Sequence, residues 1–124
     1  MTLVCRGIRG ATTVTENTRD AILSSTTELL KHLAHENTIQ PDDLAAAIFT
    51  TTRDLNAAFP AEAARKMGWT DVALLDSHEM DVPNGLPNCI RVLLLVNTIK
   101  SPRELVHVYL REAKNLRSRG VKSE

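Results

Sequence analysis

Apolar and other side chains alternate over the first segment of the chain, in the pattern of a β-strand with two different faces. Residues 3–14 contain many β-branched side chains and two glycines. The alternation places Val4, Arg6 and Ile8 on one face of the predicted strand, and it places Arg9 on the other. Arg6 and Arg9 are therefore open to two interpretations: one is a site residue and the other a surface residue, or both are solvated strand charges.

The spacing of apolar residues then becomes helical. Asn17 or Thr18 can cap a helix of about five turns that ends near Asn37, ahead of Pro41. The apolar stripe of this helix consists of Ile22, Leu29, Leu30 and Leu33. A second, shorter helix is bracketed by Pro60 at its start and Gly68 just past its end.

Several shorter patterns predict the other strands. Residues 44–52 are ambiguous, but an Ile-Phe pair followed by three threonines favours a strand in their second half. Residues 72–76 and 106–110 are also predicted to be strands. Pro102 starts a short helical connection, and the turn-rich residues 81–87 predict a loop. These elements predict an α+β fold, with a mixed β-sheet of about five strands and two main helices, in one domain over residues 1–124.

The strongest predicted strand covers residues 89–98, and its near-continuous apolar character predicts that both of its faces are covered. Arg91 interrupts this run on the same face as Leu93 and Leu95. An unpaired charge in covered surroundings costs several kcal/mol. The position of Arg91 therefore predicts one of three environments for its guanidinium: a bound anion, a carboxylate from the same chain, or solvent at a strand end.

The balance of charged residues argues against two classes of binding partner. Fifteen basic and fifteen acidic residues cancel, so the long-range positive field of a nucleic-acid binder or an anionic-membrane binder is absent. No apolar stretch approaches the ~20 residues of a membrane span, and the start of the chain does not resemble a signal peptide. We therefore predict a cytoplasmic protein that binds neither nucleic acid nor membrane.

The remaining residues of chemical interest are weak signals when each is taken alone. Cys5 and Cys89 lack the spacing of a redox pair or metal site and are predicted to be buried small hydrophobes in strands. His32 and His35 lack the third ligand of a zinc site, and we predict no metal and no cofactor. Glu79 begins a turn-rich loop. Tyr109 is the one tyrosine among the 124 residues. A tyrosine in a strand is more often a packed, hydrogen-bonded core residue than a site residue.

Taken together, five segments closely resemble the monofunctional, trimeric chorismate mutases typified by bacilli. The segments are Arg6-Gly-Ile-Arg-Gly-Ala-Thr-Thr-Val14, Phe59-Pro-Ala61, Glu79-Met-Asp81, Cys89-Ile-Arg-Val92 and His107-Val-Tyr-Leu110. The correspondence runs in order over nearly the whole chain. The resemblance implies a pseudo-α/β-barrel homotrimer that binds chorismate in clefts between subunits and converts it to prephenate, in the biosynthesis of aromatic amino acids.

The resemblance also implies roles for individual residues. Arg91 matches the cation beside the ether oxygen of the substrate, and Glu79 matches the carboxylate that accepts from the ring hydroxyl and helps to orient that arginine. Arg9 is expected to hold the side-chain carboxylate region and the surroundings of the ring hydroxyl, and Tyr109 to hydrogen-bond a carboxylate. The other expected binding residues are Phe59, Ala61, Arg65, Leu74, Leu75, Asp76, Ser77, His78, Leu116 and Arg117.

Three features depart from the pattern of the family. Asp76 stands where a small or thiol side chain is common, and it is expected to add a second carboxylate near Glu79 as a further partner for Arg91. Glu62 stands at a rim position that can be basic in relatives, which would weaken attraction of a dianion. The tail after Arg117 lacks an expected Pro-Asp pair.

Two other functions are compatible with the arginines alone. One is a small trimeric enamine or imine deaminase, which also binds a carboxylate with an arginine between subunits, although the motifs of that family are not found in the sequence. The other is a noncatalytic module that binds small carboxylates.

Overall fold

The computed structural model of the chain describes residues 2–116, and these contain five β-strands and two α-helices. The strands are β1 (Val4–Thr13), β2 (Leu44–Thr51), β3 (Ala73–His78), β4 (Cys89–Thr98) and β5 (Val108–Tyr109), and the helices are α1 (Arg19–Asn37) and α2 (Ala61–Lys66). Short 3₁₀ turns occupy Pro41–Asp43, Pro102–Glu104 and Arg111–Asn115. The predicted mixed sheet with two main helices is therefore confirmed.

Strand β4 lies at the centre of the sheet, whose strand order is β3-β2-β4-β1-β5. It pairs antiparallel with both β1 and β2, while β3 and β5 add to the two edges in parallel. Arg91 on β4 lies opposite Ala11 of β1 and opposite Thr50 of β2. Its backbone is thus held from both sides by a regular ladder.

Helix α1 covers one face of this sheet and begins at a capped end. The Thr18 side chain accepts a hydrogen bond from the backbone N–H of Ala21 at 3.2 Å, which satisfies one of the free donors of the first turn. The side chains of Leu29, Leu30 and Leu33 are fully buried and belong to the main core. The apolar stripe predicted from the sequence therefore packs against the sheet.

Gly10 on β1 allows this helix to approach the sheet closely. A methyl group built at Gly10 would lie 2.7 Å from Leu33 Cδ1 and 3.2 Å from Leu29 Cδ1. We expect Gly10→Ala to lower the free energy of unfolding by about 1–3 kcal/mol, because the buried leucines must leave their rotamers. Urea denaturation of the two proteins tests this prediction, and equal midpoints with equal slopes would contradict it.

Three expectations differ from the structure. On the face of β4 that carries Arg91 and Leu93, the 3₁₀ turn Arg111–Asn115 covers only the end at Cys89, and the side chains of Arg91 and Leu93 are exposed. Cys5 is exposed rather than buried because it lies on this face near the start of β1, away from the 3₁₀ turn, whereas Cys89 is buried as predicted, beside Ala113. The last strand is limited to Val108 and Tyr109, because only these residues enter the ladder with β1.

None of the helices within residues 2–116 has the length and apolar character needed to cross a membrane. The cytoplasmic location stays a prediction.

Candidate active site

A cavity of about 520 Å³ lies on the face of the sheet that carries Arg91, and we call it the first cavity. Its volume falls within the range of about 300–1,000 Å³ that small-molecule sites occupy. It is lined by Arg9, Gly10, Ala11, Ile48, Thr50, Glu79, Arg91, Val92, Leu93, Tyr109 and Leu116. Two guanidinium groups and one carboxylate are thus placed in largely apolar surroundings.

Arg91 projects from the central strand into the first cavity. Within the described part of the chain, its guanidinium forms no ion pair with a carboxylate. Its neighbour is the thiol of Cys89, whose pKa is raised by burial, while the charge and hydrogen bond of Arg91 act in the opposite direction. The positive charge of Arg91 therefore remains available to an anion in the cavity.

Glu79 follows directly after β3 and is attached to β2 at two points. Its backbone N–H donates to the carbonyl of Thr51 at 2.8 Å, and its carboxylate Oε1 accepts from Thr50 Oγ1 at 2.8 Å. Glu79 and Arg91 line the same cavity, yet they are not joined by an ion pair within 4.0 Å. The carboxylate is fixed by β2 rather than by the arginine.

Arg9 and Tyr109 come from the neighbouring strands β1 and β5. The backbone N–H of Arg9 donates to Nδ1 of His107 at 2.9 Å, so this nitrogen acts as the acceptor. At the other end of β5, the Leu110 N–H donates to the Ala11 carbonyl at 2.9 Å. A strand of only two residues is thereby anchored at both ends, and its Tyr109 lines the first cavity together with Arg9.

A second cavity of about 420 Å³ lies near the other edge of the sheet, where β3 and the start of α2 meet. Phe59 is 66% exposed at its rim, although an aromatic side chain of this size is normally well buried. The cavity is lined by Arg19, Thr51, Leu55, Asn56, Ala57, Ala58, Phe59, Pro60, Glu62, Asp76, Ser77 and His78.

The predicted site residues thus fall into four groups. Arg9, Glu79, Arg91, Tyr109 and Leu116 share the first cavity. Phe59, Asp76, Ser77 and His78 share the second cavity. Ala61, Arg65, Leu74 and Leu75 line neither cavity, and Arg117 lies outside the described residues.

Asp76 does not act as a second carboxylate beside Arg91 within one chain. Asp76 pairs with the buried Phe49 across β2 and β3, so its side chain lies on the face opposite to Arg91. Its Oδ1 accepts from the Ala61 N–H at 3.0 Å. Because side chains alternate along β3, Asp76 faces away from Arg91 although it is close to Glu79 in sequence.

The charge of Glu62 is also paired. Both of its carboxylate oxygens accept from the Arg19 guanidinium, and Lys66 Nζ lies 3.6 Å away. The Arg19 hydrogen bond and, to a lesser extent, the nearby positive charges hold the pKa of Glu62 below its ordinary value, against some desolvation. The expected repulsion of a dianion by Glu62 is therefore reduced by these neighbours.

Asp76→Asn is expected to change how stability depends on pH. Burial raises the pKa of Asp76 above its ordinary value near 3.8, although the Ala61 N–H and the Arg65 charge partly oppose this. From that ordinary value up to the raised one, the folded chain binds more protons than the unfolded chain, so the carboxyl lowers stability as pH rises. Asparagine keeps the acceptor for Ala61 but cannot ionise.

The measurement is the free energy of unfolding of both proteins, from urea titrations between pH 3 and pH 8. The variant should gain stability relative to the parent as pH rises through this window. A difference between the two proteins that is independent of pH would contradict the assignment.

Sequence reasoning missed several residues of the first cavity, among them Thr50, Ile48 and Ala11. The alternation of β2 places Thr50 and Ile48 on one face, but only the strand register places that face beside Arg91. No group of three or more His, Cys, Asp or Glu side chains within residues 2–116 is arranged to hold a metal ion.

Comparison with known proteins gives concordant results. The family model for chorismate mutase type I matches residues 5–119. Chorismate mutase AroH of Thermus thermophilus is 54% identical over 113 residues, which cover 90% of this chain and 93% of that protein. Chorismate mutase AroH of Bacillus subtilis is 42% identical over 116 residues, which cover 93% and 91%. A solved chorismate mutase from Clostridium thermocellum superposes with a TM-score of 0.87 at 53% identity, covering 88% of this chain and 97% of that one.

Proposed function

Because the chain belongs to the type I chorismate mutase family and isomerises chorismate to prephenate, we propose that the reaction takes place in the first cavity with Arg91 facing the ether oxygen. One observation supports this most strongly. Arg91 is a cation on the central strand, inside a cavity, with no carboxylate partner in residues 2–116. Such a charge is suited to a bound anion.

The reaction is an intramolecular rearrangement in which a C–O bond breaks while a C–C bond forms. The electrons move in one cycle, so the protein supplies neither a nucleophile nor a proton. It can lower the barrier by holding the two reacting ends within ~3.5 Å of each other and by stabilising charge as it develops. Negative charge develops on the ether oxygen, which becomes the keto oxygen of the pyruvyl group in prephenate.

Arg91 meets the requirements of such a stabilising group. Arginine stays charged at any ordinary pH, and its backbone is held on both sides by β1 and β2. A cation that is already in place does not need to reorganise when the bond breaks. Its interaction with the oxygen is stronger in the transition state than in the ground state, which raises kcat.

The other groups of the first cavity hold the substrate. Arg9 and Tyr109 come from the paired strands β1 and β5 and line the same cavity, and they provide a charged and a neutral donor for carboxylate oxygens. Glu79 accepts a hydrogen bond from the ring hydroxyl. Leu116 and Leu93 supply apolar surface around the folded diacid.

We further propose a homotrimer in which the second cavity of one subunit completes the first cavity of its neighbour. Within one chain, Arg91 and Phe59 line separate cavities, although the resemblance places both residues against the substrate. Leu75, Phe59 and Leu93 are large apolar residues with exposed fractions of 60%, 66% and 36%. Contact between subunits would remove this surface from water.

The activity itself is tested by adding the purified protein to chorismate and following the loss of its ultraviolet absorbance. Acid treatment of the product should give phenylpyruvate, which identifies prephenate. Binding of chorismate without turnover would support the noncatalytic alternative, and imine hydrolysis without effect on chorismate would support the deaminase.

Arg9→Ala is expected to raise KM about tenfold or more, because a charge-assisted hydrogen bond to a carboxylate contributes ~1.5–3 kcal/mol. Arg65 lines neither cavity, so Arg65→Ala should have a smaller effect that disappears at high salt. Steady-state kinetics at low and high ionic strength distinguish the two. Identical salt dependence in both variants would contradict the ranking.

A further inference from the structure

Three consecutive threonines lie at the end of β2, Thr50 and Thr51 within the strand and Thr52 just after it, and their hydroxyls make different contacts. Thr51 Oγ1 donates to the Leu55 carbonyl at 3.3 Å, and Thr52 Oγ1 bonds Asp54 and accepts from the Cys89 N–H at 3.0 Å. These three contacts join the end of the strand to the turn that follows it and to the start of β4. Thr50 differs, because it lines the first cavity and its hydroxyl donates to a carboxylate there.

The contact of Thr50 is with the carboxylate of Glu79, at 2.8 Å from Oγ1 to Oε1. Glu79 lies past the last residue of β3, so its side chain is not constrained by strand pairing on both sides. A glutamate side chain has three rotatable bonds and loses considerable entropy when it is fixed. The hydroxyl of Thr50 is the side-chain donor that fixes it among residues 2–116.

Thr50 also lies directly opposite Arg91 in the register of β2 and β4. Paired residues of neighbouring strands have Cβ atoms only about 4.5–5.5 Å apart on the same face. Thr50 therefore stands next to Arg91 and contacts Glu79, which places one hydroxyl beside both charged groups of the proposed reaction.

We propose that Thr50 is a positioning residue, whose hydroxyl holds the Glu79 carboxylate in the orientation that receives the ring hydroxyl of the substrate. This inference rests on the role of Glu79 in the proposed function. Oε1 accepts from Thr50, and Oε2 with the remaining lone pairs is left to the substrate. Without the hydroxyl of Thr50, the Glu79 side chain samples several rotamers, including ones in which its carboxylate does not face the ring hydroxyl of the substrate.

The test compares Thr50→Val, which keeps the shape of the side chain, with Thr50→Ser, which keeps the hydroxyl. Thr50→Val should lower kcat/KM about tenfold, which corresponds to a rise of ~1.4 kcal/mol in the activation free energy. Thr50→Ser should keep kcat/KM within about twofold of the parent value. Thr98→Val is the matched control, since Thr98 also lies in a strand and bonds a backbone N–H far from the first cavity. Thermal unfolding of each variant reports on folding.

A double-mutant cycle with Glu79→Gln separates this inference from the proposed function. If Thr50 acts through Glu79, adding Thr50→Val to the Glu79→Gln protein should change kcat/KM by less than about twofold. An impaired Glu79→Gln enzyme together with a fully active Thr50→Val enzyme would overturn the role of Thr50 alone. Equal losses in the valine and serine variants would overturn it as well, and a fully active Glu79→Gln enzyme would overturn the role of Glu79.

Discussion

Arg91→Ala should lower kcat by about 10²–10³-fold or more, the loss observed when one donor that stabilises developing negative charge is removed from an enzyme. KM should change much less, because in the proposed site the carboxylates of the substrate are held by Arg9 and Tyr109 and not by Arg91. The ether oxygen carries little charge before the bond breaks, so the contribution of Arg91 is largest in the transition state. Steady-state kinetics with chorismate measure both constants.

The control for Arg91→Ala is Arg91→Lys, which keeps a positive charge but loses the planar guanidinium group with its fixed N–H donors. Lysine should restore part of the rate that alanine loses. Arg91 is exposed within one chain and takes part in no ion pair there, so folding should survive both substitutions. An alanine variant with nearly the parent kcat would show that this cation does not stabilise the transition state.

Mixing two inactive variants should restore activity if each site uses two subunits. Arg91→Ala disables the first cavity, and Phe59→Asp places a negative charge in the second cavity, opposite a dianion. Each variant alone should lose at least about 10²-fold in kcat/KM. Arg91→Ala loses the cation that stabilises the transition state, and Phe59→Asp repels the dianionic substrate. After unfolding and refolding together in equal amounts, about one quarter of the sites should combine two intact halves.

Sedimentation of the same mixture shows whether the assembly has the mass of three chains. The control is the two variants mixed without unfolding, which should stay inactive if the proposed trimers do not exchange subunits. Recovery of activity near one quarter of the parent value agrees with shared sites. A mixture that stays as inactive as its components would show that each site is built from one chain.

Strand alternation was sufficient to predict several features of the site. Because the side-chain period of a strand is two, the sequence alone places Arg6 and Arg9 on opposite faces and Arg91 on the face of Leu93. The structure agrees: Arg9, Arg91 and Leu93 line one cavity, while Arg6 Nε donates to the Lys100 carbonyl. Helix α1 was predictable for a similar reason, since capping and helical spacing are local properties.

Features that depend on other parts of the fold, or on other chains, could not be predicted in this way. A run of apolar residues in β4 indicates that both faces are covered, but it does not tell whether the cover comes from the same chain. Thr50 could be recognised only from strand register, because its partner Glu79 is 29 residues away. The contact of Asp76 with Ala61 likewise required the packing of α2 against β3.

A crystal structure of the protein with prephenate bound would show directly which atom of the ligand Arg91 faces. We expect the Arg91 guanidinium of one subunit to lie within about 3 Å of the keto oxygen of the pyruvyl group, which was the ether oxygen of chorismate. Phe59 of the partner subunit should contact the same ligand. An Arg91 side chain that points to bulk water, or pairs with a carboxylate of its own subunit away from the ligand, would show that Arg91 does not act on this oxygen.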